Sequence, residues 1–143
     1  MSAGFMNWKN QQYGSGSGNH GTVTFDTDTL DIALIDTGTT DPNIDTHEDW
    51  ADLSSALIGT ATTIGTPSFG GSSPNVDMDA SDTTISAVSG ATAEELVLMK
   101  DSGTAATSIL IWQWDSGDVT NLPVTPNGGD ITVVWNASGI LRF

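Results

Sequence analysis

The stretch from Glu95 to Phe143 constrains the fold more than any other, because short apolar runs alternate in it with dense turn chemistry. Glu95-Leu-Val-Leu-Met-Lys100 runs into Asp101-Ser-Gly-Thr-Ala-Ala-Thr-Ser108, and Leu122-Pro-Val-Thr-Pro-Asn-Gly-Gly-Asp130 runs into Ile131-Thr-Val-Val-Trp-Asn136. Runs of this length bounded by Gly, Pro, Asn and Asp are strands, and the stretch reads as a string of hairpins. It carries no reactive group.

The preceding residues follow the same pattern. Thr22-Val-Thr-Phe25 alternates, and Leu30-Asp-Ile-Ala-Leu-Ile35 is a stronger strand with Leu30, Ile32 and Leu34 on one face. Asp36-Thr-Gly-Thr-Thr-Asp-Pro42 is a turn cluster. One helix is predicted between about His47 and Leu57: Asp49 lies at the capping-box offset from Thr46, and Trp50, Leu53 and Leu57 share a helical stripe. Residues 58–80, rich in Gly, Thr, Ser and Pro, read as an extended excursion with weak strands at Thr60–Ile64 and Val76–Met78. Strands at Thr83–Val88, Glu95–Lys100, Ser108–Trp114, Ile131–Trp135 and Gly139–Phe143 complete an all-β chain. The expected architecture is an antiparallel β-sandwich or jelly-roll-like domain with one short helix.

Residues 1–21 read as an N-terminal arm and linker, leaving 22–143 as a single β domain. Tyr13-Gly-Ser-Gly-Ser-Gly-Asn-His-Gly21 is flexible by composition, so the arm is either a disordered tail or a strap. In the second case Phe5, Met6 and Trp8, with Tyr13, are the candidate protein-interface residues, since ordering a tail is favourable only if it buries apolar area. The loops from 58 to 80 are the other expected contact region.

Charge and composition remove whole classes of function. Eighteen acidic residues face three basic ones, Lys9, Lys100 and Arg142, for a formal charge of -15. Such a chain cannot release phosphate counterions, so no nucleic-acid partner is expected, and anionic membrane surfaces are disfavoured for the same reason. The opening residues lack a charged n-region and a long apolar h-region, and no later run is long enough to span a bilayer, so synthesis in a cytoplasm is expected. With no cysteine, disulfides, thiolate metal sites and cysteine nucleophiles are excluded.

No candidate chemistry outweighs its plainer reading. Neither His20 nor His47 has a Gly-x-Ser-x-Gly elbow to serve, so His47 reads as a helix-start residue and no catalytic residue is assigned. The pairs Asp26/Asp28, Asp77/Asp79 and Glu94/Glu95 are adjacent or alternate acids rather than carboxylates facing across a cleft. Asp77-Met-Asp79-Ala-Ser81-Asp82 begins like a calcium loop but has Asp82 where Gly is required and Val88 where the closing Glu belongs. Solvated turn acids are the default there, a looser calcium site the alternative, and no metal or cofactor is expected. Strict alternation places Trp112 and Trp114 on one face with Leu110, opposite Ile109, Ile111 and Gln113. Exposed, that face would stack on sugar rings as a carbohydrate-binding module; buried, it is core or subunit interface, and apolar residues on both faces favour burial. Asn136-Ala-Ser138 reads as a hairpin turn rather than a glycosylation site.

Leu34-Ile-Asp-Thr37, Pro42-Asn-Ile-Asp-Thr-His-Glu-Asp-Trp50, Lys100–Ser108, Leu122–Val133 and Trp135–Phe143 together resemble, in the same order, a family of small tailed-bacteriophage virion structural proteins. The resemblance covers about residues 30–143 and is strongest over 95–143. It implies a non-enzymatic virion component similar to capsid decoration, or cement, proteins. Such a protein binds the major capsid protein on the outer capsid surface, is made in the host bacterial cytoplasm, and acts as a homo-oligomer, trimer or dimer. A neck or tail component is the structural alternative.

Overall fold

The computed structural model describes residues 2–6, 8–9 and 21–143. The protein is all-β, with three antiparallel sheets and, among the described residues, no helix of seven residues or more. The largest sheet has the order β1-β8-β7-β2-β3, built from β1 (Ala3–Gly4), β2 (Leu30–Ile35), β3 (Leu57–Thr63), β7 (Glu95–Lys100) and β8 (Ile109–Trp114). A three-stranded sheet has the order β10-β5-β4, from β4 (Ser68–Gly70), β5 (Asp77–Asp79) and β10 (Leu141–Arg142). β6 (Thr83–Ile85) and β9 (Ile131–Val133) form a third.

β2 is the centre of the molecule. All six of its side chains are buried, because the sheet is covered on both faces. Leu30, Ile32 and Leu34 point into the larger core with Leu96 and Leu98 of β7, sealed by Met78, Ile85 and Leu141 from the two small sheets. Ala33 and Ile35 point the other way, with Val97, Met99 and Leu110, under Trp50, Leu53 and Ala56. The expected face of Leu30, Ile32 and Leu34 is therefore observed.

The predicted helix is two 3-10 turns, Trp50–Asp52 and Ser54–Ala56. Its cap also lies elsewhere: Asp49, not Thr46, is the N-cap, accepting from Ala51 N–H, while Asp52 closes the box. The apolar stripe holds in part, with Trp50 and Leu53 buried and Leu57 passing into β3. The expected strand at Thr22–Phe25 is an irregular segment that runs into a turn. Lys100 ties it down, donating to Thr22 O at 2.9 Å and pairing with Asp28 at 2.9 Å.

The C-terminal stretch is not a string of hairpins. β7 and β8 pair directly, but β9 pairs with β6 and β10 with β5. Turn residues mark where a chain reverses and leave open which earlier strand the next one joins. A second correction concerns the tryptophans. Met99 faces Leu110 and Leu98 faces Trp112, so Ile111 is an extra residue and β8 is bulged. The bulge breaks the alternation and rotates Trp112 and Trp114 away from Leu110, onto the larger core with Ile109 and Ile111. Gly59 marks a matching irregularity in β3, with φ +74, where an added Cβ would lie 3.0 Å from Val88 Cγ1.

The N-terminal segment is not a free arm where it is described. Ala3 and Gly4 add an edge strand to β8, Phe5 N–H donates to Ile111 O at 3.0 Å, and Met6 N–H donates to Ile44 O at 2.7 Å. Gly4 lets this strand approach: a Cβ there would sit 2.8 Å from the Trp112 ring.

Candidate functional site

The proposed interface residues fare differently from one another. Phe5 is fully buried in the smaller core and Trp8 is 5% exposed in the larger one, so both are consumed by the chain's own packing and cannot anchor a neighbour in this state. The physical reason is that the β8 edge offers the segment backbone partners and an apolar slot closer than any other protein. Met6 remains 44% exposed, and Tyr13 lies outside the described residues.

An exposed apolar patch is found instead on the three-stranded sheet. Phe69, Met78 and Leu141 share one face of it through the pairings Phe69 with Met78 and Met78 with Leu141. Val76 and Phe143 extend that face one step, exchanging backbone hydrogen bonds of 3.2 and 2.9 Å. Met78 and Leu141 are buried on the core, whereas Phe69, Val76 and Phe143 are 46%, 47% and 43% exposed. The sheet thus overhangs the core, and its overhang is apolar. Phe25 supports it from beneath, with ring centroids 6.4 Å from Phe69, 5.5 Å from Phe143 and 6.0 Å from Trp8. The opposite face of the strands is polar, where Arg142 Nε and Nη2 grip the Asp77 carboxylate.

The sequence had pointed to residues 58–80 without singling out Phe69. Its signal was an aromatic residue in a Gly, Ser and Pro segment, with no periodic partner to bury it. Phe143 and Val76 were unreadable as a pair, because their contact depends on β10 joining β5.

Other candidates resolve into structural roles. His47 Nδ1 accepts from Asn43 N–H at 3.2 Å within a turn; His20 lies outside the described residues. The carboxylates of the calcium-like segment go separate ways: Asp77 to Arg142, Asp79 to Ala80 N–H, and Asp82 to Trp135 N–H. Among the described residues no group of three or more His, Asp or Glu side chains is placed to hold a metal ion. Asn136 Oδ1 accepts from Ser138 N–H in a turn between two different sheets. Trp114 is 8% exposed, and Trp112 is covered by Gly4, Trp8 and Lys9, so the flat tryptophan platform considered above is not presented. All three cations are engaged locally, Lys9 on Trp112, Lys100 with Asp28, and Arg142 with Asp77, leaving an acidic exterior without a basic patch.

Two acids stand out, Asp31, which is buried, and Glu95, which is half-buried. Burial raises the carboxyl of Asp31, a hydrogen bond from Thr63 opposing it and the charge of Asp101 adding to it. Burial, with the charges of Asp41 and Glu94, pushes Glu95 up to about 7, and its Oε2 has no hydrogen-bond partner. Both lie on the large sheet, where a raised acid is a cost to stability above its pKa.

A groove of about 580 Å³ lies beside β9. Trp114 and Trp135 pack on one another at its side, with centroids 5.7 Å apart and planes at 51°. Compared with known protein families and with curated proteins, the chain matches none.

Proposed function

We propose that this protein is a structural component of a tailed-phage virion, a decoration protein that docks on the major capsid protein through Phe69, Val76 and Phe143. The observation that carries this reading is the aromatic overhang: an apolar surface continuous with the core, left uncovered on an otherwise acidic molecule. The resemblance over residues 30–143 supplies the virion context, and the charge of -15 suits an outer surface away from packaged DNA.

Magnitudes define the mechanism. Completing the burial of three half-exposed side chains contributes about 1 kcal/mol each, less than the roughly 4 kcal/mol or more that association costs. A lone contact of this kind does not hold. A symmetric oligomer on a repeating shell presents several at once, and avidity then makes weak contacts sufficient. The test is stoichiometry in purified virions by quantitative gel densitometry. Roughly hundreds of copies per particle are expected for a shell-wide lattice; about a dozen or fewer would assign the chain to the neck or tail instead.

A further inference from the structure

We infer that the groove beside the packed Trp114 and Trp135 rings is a binding site for a neutral oligosaccharide. It shares no lining residue with the aromatic overhang. Its volume lies within the range of small-ligand sites, and its chemistry is split by depth. Leu34 and Leu96 rise into it from the large sheet, and Trp114 and Trp135 add indole surface. The mouth carries short polar side chains, among them Thr120, Asn121 and Asn136, together with the carboxylates of Asp118 and Asp130.

A pyranose matches that division. One face of the ring is made of C–H groups that pack on an indole, while its edge is a row of hydroxyls that need hydrogen-bond partners. Thr120 and Asn121 are exposed, and Asn136, whose Oδ1 is held by Ser138 N–H, keeps its NH2 group as a donor. Trp135 is held in place by the hydrogen bond from its backbone N–H to Asp82 at 3.0 Å. Its Nε1–H is buried, so the indole offers the groove its ring rather than its N–H.

Charge and geometry narrow the ligand further. The lining contains no Lys, Arg or His and two carboxylates, so phosphorylated or sialylated glycans are repelled. The carboxylates alone would also admit a cation. A cation site, however, encloses its ligand with several ring faces, whereas here Trp114 is 8% exposed and only Trp135 presents appreciable surface. The volume is also larger than an ammonium group fills.

The test is a printed array of neutral and acidic glycans probed with the full chain clustered on streptavidin, which amplifies weak single-site binding. Binding to a set of neutral glycans is expected, with none to sialylated or phosphorylated ones. Trp135→Ala should weaken it by about tenfold or more. Because that change touches packing, Thr120→Ala serves as an exposed second variant, expected to weaken binding with an unchanged melting temperature. Phe69→Ser should bind glycans like the wild type. The inference is overturned if no neutral glycan is bound, if both groove variants bind normally, or if spermine, titrated as a cationic probe, displaces tryptophan fluorescence where neutral sugars do not.

Discussion

β2 and β5 are both central strands of antiparallel sheets, yet one is sealed and the other is not. Every side chain of β2 is buried between two cores, while the sheet around β5 is covered only where Met78 and Leu141 meet the larger core. Beyond them the same pleat face continues as Phe69, Val76 and Phe143 in the open. The residue types are alike; what differs is whether anything lies on top. Apolar side chains closed on both sides hold the fold, and apolar side chains left open at a sheet's overhang are available for association.

That contrast can be broken first at the sealed end. Leu98 is fully buried beside Ile32 and Trp112, so Leu98→Ala should cost about 2–5 kcal/mol in chemical denaturation through lost burial and the cavity left behind. A loss below about 1 kcal/mol would mean the large sheet is not the stability centre.

A smaller effect is expected where the sealed sheet holds a misplaced charge. The folded-state pKa of Glu95 is raised to about 7 from 4.5, so between those values the native state binds more protons than the unfolded chain. Stability therefore falls as pH rises through that window and is flat above it. Glu95→Gln should remove this slope and stabilise the protein at pH 8 by on the order of 1 kcal/mol after screening by solvent. An identical pH profile in variant and wild type would show that Glu95 is solvated.

The strands of the large sheet were the legible part of the fold. β2 and β7 have the predicted bounds, because continuous apolar runs between turn clusters admit little else. Partner choice was not legible, since β9 and β10 are three and two residues long and carry no register information of their own. The bulge at Ile111 was equally hidden, and with it the true face of Trp112 and Trp114. The N-terminal segment misled for a related reason. Its apolar residues do bury area, as expected, but in their own core, because the edge of β8 was invisible until β8 had a place in a sheet. The overhang was half visible: Phe69 stood in the Gly-, Ser- and Pro-rich segment that the sequence marks, while Val76 and Phe143 needed the β5 and β10 pairing to meet.

A modest effect on stability should accompany the loss of docking, at the open end of the comparison. Phe69→Ser combined with Phe143→Ser removes two half-exposed rings that also touch Phe25 and Trp8 and should cost about 2 kcal/mol in stability. The most direct measurement is co-sedimentation of this double variant with capsids stripped of the wild-type protein. The account predicts a loss of capsid binding of about tenfold or more with the fold intact by circular dichroism; wild-type binding by the folded double variant would contradict it.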